Sequence, residues 1–272
     1  MGKGGSVPAG LPSVAAPIVV LVGWGAMILA GVLSRGLGLR PALTASEVAL
    51  ALPALVAVAL VKAGTWEGAL GLRRISLRLI GLSLAAGVAF WGASLGLFEL
   101  QYAVWRPPPG YLEAFQRLHE ALRPSGPFDA FVSVAAIALA PAIFEELLFR
   151  GVVLPSLLRS MSAAGAVFGS AFLFGMIHLD LSTPGGAFYR VPFAFAVGLG
   201  LGLLRVRTGS LYPSIVAHAF LNTITFVVEP LIEDPTGAVQ DPRPLFGATL
   251  LILGLAAAFW VVKRIDSQQA SP

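Results

Sequence analysis

The chain has 272 residues, 57% of them apolar and only 12% charged, and its mean hydropathy is +0.84. A soluble domain carries about 25% charged residues, so this composition excludes a soluble enzyme, a disordered chain and a collagen; the absence of cysteine removes disulfide scaffolds, thiolate nucleophiles and thiolate metal sites. The 18 basic residues outnumber the 14 acidic ones only slightly and form no run of the kind that follows phosphates, so no nucleic-acid partner is expected.

A helix that crosses a bilayer needs about 20 mainly apolar residues. Stretches of that character occur near 14–33, 46–61, 78–98, 128–150, 161–179, 191–204, 210–228 and 245–262. The expected fold is therefore all-α, a polytopic membrane helix bundle of about eight transmembrane helices with the lipid bilayer as its solvent. It divides into 1–127 (three spans and an interfacial helix), 128–228 (spans four to seven) and 229–272 (an acidic loop and the last span). In the longest polar insertion, Pro107-Pro108-Pro109 precedes Tyr111, Leu112, Phe115, Leu118 and Leu122, interleaved with Glu113, Arg117, Glu120 and Arg123. Steps of three and four describe a short amphipathic helix at the interface, with His119 expected to be solvated. Gly92/Gly96, Gly165/Gly169 and Gly198/Gly202 have the spacing that lets helices approach closely inside a bundle.

Eight spans put both termini on one side. With the N-terminus inside, the inner segments hold Lys3, Lys62, Arg73, Arg74, Arg78, Arg150, Arg159, Arg205, Arg207, Lys263 and Arg264, 11 of the 18 basic residues. The outer segments hold the acidic cluster Glu229, Glu233, Asp234 and Asp241. The positive-inside rule then predicts cytoplasmic termini, and the Gly-, Ala- and Leu-rich composition with compact loops points to a bacterial inner membrane.

Ionisable side chains within spans are costly and default to a functional reading. Three constellations stand out. FEELLFRG in span four carries Glu145, Glu146 and Arg150; Glu146 and Arg150 are i, i+4 with the acid first, the favourable order for a helical ion pair. Glu145 has no such partner, so one carboxylate reads as structural and the other as free for chemistry. FLFGMIH in span five puts Phe174 and His178 on one helical face, and HAFLN in span seven does the same for His218 and Asn222.

The set Glu145-Glu146-x-x-x-Arg150, Phe174-x-x-x-His178 and His218-x-x-x-Asn222, with the lead-in Thr208 to Asn222, resembles the CPBP family, the type II CAAX prenyl endopeptidase or ABI family of intramembrane proteases, over roughly residues 130–227. The resemblance implies a glutamate-dependent intramembrane endopeptidase acting on a membrane-associated protein or peptide, lipid-modified or not. As chemistry, peptide hydrolysis without Ser or Cys needs a base for water, for which Glu145 is the candidate. His178 would orient that water or carry its proton, and His218 and Asn222 would donate to the oxyanion. Glu146, Arg150 and Phe174 would support them. No cofactor is expected and no metal is assigned. Alternatives are a zinc enzyme using the same carboxylates and imidazoles, a transporter or proton relay, and a non-catalytic scaffold.

Convergence sets a condition. Glu145 lies near one end of span four, whereas His178 lies about 15 residues, roughly 22 Å, into span five. Helix four is expected to run on through Val152-Val153-Leu154 toward Pro155, and span five to begin deeper in the membrane, which puts the site some way in from the cytoplasmic face.

Overall fold

The computed structural model describes residues 11–61, 65–181, 183–232 and 241–269; Lys3, Lys62, Glu233 and Asp234 of the side count lie outside them. The helices are α1 (Ala15–Leu33), α2 (Leu39–Leu60), α3 (Trp66–Leu70), α4 (Leu77–Val104), α5 (Tyr111–Leu122), α6 (Pro127–Leu157), α7 (Ala163–Met176), α8 (Val191–Thr208), α9 (Tyr212–Ile232) and α10 (Pro244–Gln269). Local chemistry sets several of their ends. Ser76 Oγ accepts from Leu79 N and Ser162 Oγ from Gly165 N at 3.2 Å each, capping α4 and α7. Pro127 occupies the first turn of α6, and Gly209, at φ 64°, closes α8 in the left-handed region.

Six of these helices are long and apolar enough to cross a membrane, and α7 and α9 are shorter apolar helices. Apolar helices stand at all eight expected places, six of them of spanning length, and the protein is an integral membrane protein. Its outward faces are bare hydrocarbon: Leu21, Leu60 and Leu253 are 65%, 77% and 60% exposed. The amphipathic helix expected before span four is α5. His119 is not solvated as expected. It is half-buried, donates from Nδ1 to the Phe115 carbonyl (3.2 Å) and stacks on Phe226 of α9 with centroids 5.9 Å apart, because α5 lies against the bundle and not on its rim.

Two apolar clusters flank the polar centre. One joins α1, α2, α6 and α7 through Leu50, Leu148, Leu154 and Phe174; the other joins α4, α8, α9 and α10 through Leu201, Leu204, Leu221, Val261 and Ile265. Ion pairs fasten the ends: Arg40–Asp129 at 3.0 Å, Arg243–Glu99 at 2.7 Å, and Arg207 with Asp266. Each pair joins residues that the span count assigned to the same side.

Of the glycine pairs, Gly198 and Gly202 face Ala171 and Val167 of α7, where a Cβ would stand 3.1 and 3.2 Å from its neighbours. Gly92 faces open space and makes no close approach. The tightest crossing, α4 against α10, instead uses Gly96, Gly247 and Gly254; a Cβ on Gly254 would meet the Ala89 carbonyl oxygen at 2.8 Å and the Ala93 backbone. Gly254→Val should therefore cost about 1–3 kcal/mol of stability by overpacking, read as a lower unfolding temperature in detergent. Gly92→Ala should be neutral or slightly stabilising, by up to about 1 kcal/mol. Equal effects in a thermal scan would refute this account of the crossing.

Helix α6 runs on past Pro155 as expected and ends at Leu157, so Glu145 sits near its middle; α7 begins at Ala163. The sequence reading did not foresee two wide π-type turns within α6, at Ala135–Leu139 and Leu147–Val153. Each contains the residue four before a proline, Ile137 before Pro141 and Gly151 before Pro155. A proline in a helix lacks an N–H and clashes with the i−4 carbonyl; opening the turn relieves that clash and lets the helix continue.

Candidate active site

The wide turn Leu147–Val153 begins directly after Glu145-Glu146 and carries Arg150. Its register pairs Leu154 N–H with the Phe149 carbonyl, so the next carbonyl, that of Arg150, faces Pro155, which has no N–H to give. Arg205 of α8 fills the gap, its Nε donating to the Arg150 carbonyl at 3.1 Å. The Arg150 side chain has no exposed surface. Its Nη1 donates to Glu146 Oε1 at 2.7 Å, its Nη2 donates to the Gly198 carbonyl of α8 at 2.8 Å, and its guanidinium carbon lies 4.6 Å from the Phe174 ring centroid. The ion pair read from the i, i+4 spacing is present. The Gly198 carbonyl and Arg205 were not foreseen, since nothing in local spacing shows which carbonyl of another helix will face a guanidinium.

Glu146 has a second partner. His218, 4% exposed on α9, places Nδ1 3.0 Å from Glu146 Oε1, and its Nε2 faces Glu145 Oε2 across 3.8 Å. A carboxylate paired with arginine accepts, so Nδ1 of His218 is the donor and Nε2 is the nitrogen turned toward Glu145. Glu145 is 6% exposed, and its Oε2 is buried with no hydrogen-bond partner. Such an oxygen is costly in an apolar interior, and the sequence expectation that Glu145 is the uncommitted carboxylate agrees with it.

His178 sits in the turn just after α7, half-buried, with Nδ1 2.8 Å from the Phe174 carbonyl. A carbonyl can only accept, so Nδ1 carries the proton and Nε2 presents a lone pair. Phe174, 1% exposed, is the hub: its ring lies 4.8 Å from His178, 5.9 Å from His218 and 5.1 Å from Phe149. Asn222 is half-buried, one turn beyond His218 on α9. A further carboxylate, Glu47 of α2, has a buried, unpartnered Oε2, and its charge acts on Glu145. It was not singled out from sequence because it stands alone in its span.

Glu146 is spent on Arg150 and His218 Nδ1, and among the described residues no three His, Asp or Glu side chains group as ligands.

Residues 127–224, which carry α6, α7, α8 and the first part of α9, match the family model described as type II CAAX prenyl endopeptidase Rce1-like. A 132-residue stretch of the chain is 31% identical to CAAX prenyl protease 2 of Homo sapiens, covering 43% of this chain and 38% of that protein. The chain thus spans well under half of that relative's length. Over this segment, presented by a helical membrane bundle, the chain is similar to the CAAX-protease-like membrane proteins.

Proposed function

We propose that the protein is a glutamate-dependent intramembrane endopeptidase, which cleaves a peptide bond in a membrane-associated protein or peptide. The observation that carries this reading is the facing pair Glu145 Oε2 and His218 Nε2, 3.8 Å apart in the apolar centre of the bundle, with Glu146 and Arg150 locked behind them. Glu145 takes a proton from water, which is oriented by hydrogen bonding to the lone pair on His178 Nε2. The hydroxide attacks the scissile carbonyl carbon. In its imidazolium form His218 donates from Nε2 to the oxyanion, its charge balanced by Glu146 at Nδ1, and the Asn222 amide is the second donor. Each such donor is worth roughly 10²–10³ in rate. Glu145 then passes its proton to the leaving amine as the C–N bond breaks. The relative's name suggests a CAAX peptide with a prenyl group as the first substrate to try.

The experiment is cleavage of a membrane-anchored peptide by purified, reconstituted protein. Asn222→Ala is expected to lower kcat by roughly 10²–10³-fold with little change in KM; a change confined to KM would remove Asn222 from the oxyanion. Dialysis against a strong chelator is expected to leave the rate unchanged. A loss restored by added zinc would replace this mechanism with a metal-dependent one.

A further inference from the structure

Two guanidinium groups share one end of the bundle with no acid between them. The connection from α3 to α4 crosses the turn from α8 to α9. Leu211 N–H donates to the Gly71 carbonyl at 2.9 Å, and Ser210 Oγ donates to the Arg73 carbonyl at 2.7 Å. Gly71, at φ 72°, lies directly against Arg205 of α8; a Cβ there would stand 2.7 Å from the guanidinium carbon. Arg73 reaches across the neighbouring turn, where a Cβ on Gly209 would stand 3.5 Å from its Nη1. The Arg73 charge acts on Arg205, and like charges repel. Among the described residues neither has a carboxylate partner, whereas Arg40, Arg150, Arg207 and Arg243 each have one.

Arg205 cannot swing away to relieve that repulsion. It is half-buried, and its Nε is committed to the Arg150 carbonyl at 3.1 Å, which leaves its Nη groups as the remaining donors. Arg73 is exposed, but its backbone is fastened to the α8–α9 turn by the two hydrogen bonds above. The apolar outer surface extends to this level: Leu60 at the end of α2 and Leu77 at the start of α4 are 77% and 86% exposed. Cations at the edge of such a surface lie at the depth of lipid headgroups.

We infer that Arg73 and Arg205 bind the phosphate of an anionic phospholipid. Guanidinium N–H forks match phosphate oxygens, and a phosphate shared by the two cations cancels their repulsion. The acyl chains lie against the apolar side chains exposed beside the pair. A zwitterionic headgroup fits less well, because its own cation would join two arginines, with Arg74 and Arg78 exposed nearby. Arg205 also holds the Arg150 carbonyl in the wide turn behind Glu145 and Glu146, so an occupied site steadies that turn and raises the stability of the bundle. This assignment is independent of the protease reading.

The test is thermal unfolding of the purified full chain in nonionic detergent, titrated with phosphatidylglycerol, with phosphatidylcholine or with inorganic phosphate. Phosphatidylglycerol is expected to raise the unfolding temperature saturably, and the other two to leave it nearly unchanged. Arg73→Gln removes a hydrogen bond between charged groups and should raise the half-saturating phosphatidylglycerol fraction roughly 10-fold or more. Arg73→Lys should retain part of the affinity. Arg106→Gln, at an exposed arginine of the α4–α5 connection, should titrate like the unaltered protein. Equal stabilisation by phosphatidylcholine overturns the assignment, and equal stabilisation by inorganic phosphate replaces the lipid with a free ion. An unchanged titration of Arg73→Gln also overturns it, even if that variant is less stable without lipid. So does a loss for Arg106→Gln as large as that for Arg73→Gln, as diffuse surface charge would give.

Discussion

Replacing Glu145 with glutamine is expected to reduce cleavage by roughly 10²–10⁴-fold or more while the protein folds as before. Glutamine keeps the shape and one carbonyl oxygen but cannot take a proton from water. Glu145 Oε2 accepts no hydrogen bond, so its loss orphans no donor. Removing a buried carboxylate should leave the unfolding temperature unchanged or raise it. Glu146→Gln is the informative contrast: Glu146 holds Arg150 at 2.7 Å and His218 at 3.0 Å through one oxygen, so that variant should lose stability and activity together. Measured side by side, a rate for Glu145→Gln near that of the unaltered protein would end the glutamate-base mechanism. Instability of Glu145→Gln matching that of Glu146→Gln would show that the two carboxylates are not divided into a chemical and a structural one.

Arg150→Met should be among the most destabilising single changes in the bundle. The side chain is wholly buried and satisfies both Glu146 and the Gly198 carbonyl. Its removal leaves a buried charge uncompensated, at a cost of about 3–5 kcal/mol, a large part of the 5–15 kcal/mol typical of a folded protein. Changing both partners, Glu146→Leu with Arg150→Met, removes the charge as well as its counter-ion and should recover much of that loss, because a buried pair can be replaced by apolar packing at little net cost. The recovery should be incomplete by about 1–3 kcal/mol, since His218 Nδ1 and the Gly198 carbonyl lose their partners. Activity should not return, because His218 is no longer oriented. Thermal unfolding of the three proteins in one detergent decides this, and a single variant as stable as the unaltered protein would contradict the account.

The eight apolar helices, α5 and the three polar constellations were legible because hydrocarbon makes local composition informative. A polar residue cannot sit in a span without a reason, so Glu145, His178, His218 and Asn222 stood out from their neighbours. Even the wide turns of α6 left a trace in Pro141 and Pro155, recognisable once each was seen to follow a π-type turn. His119 was misjudged for the opposite reason: its helix is amphipathic whether its polar edge meets water or Phe226, and periodicity does not distinguish the two.

The residues alone determined that the chain is a membrane bundle, which polar and ionisable side chains its helices carry, and that Glu146 pairs with Arg150 while Glu145 does not. Those facts follow from scarcity of charge and from i, i+4 spacing, both local properties. Tertiary structure decided the rest: Glu146 also orients His218, His178 presents Nε2, and the Gly198 carbonyl and Arg205 complete the Arg150 site. Each of these depends on how far one helix is rotated and slid against another. That register is set by non-local packing, such as the close passage of α8 along α7 at Gly198 and Gly202, and the spacing within a single helix carries no information about it.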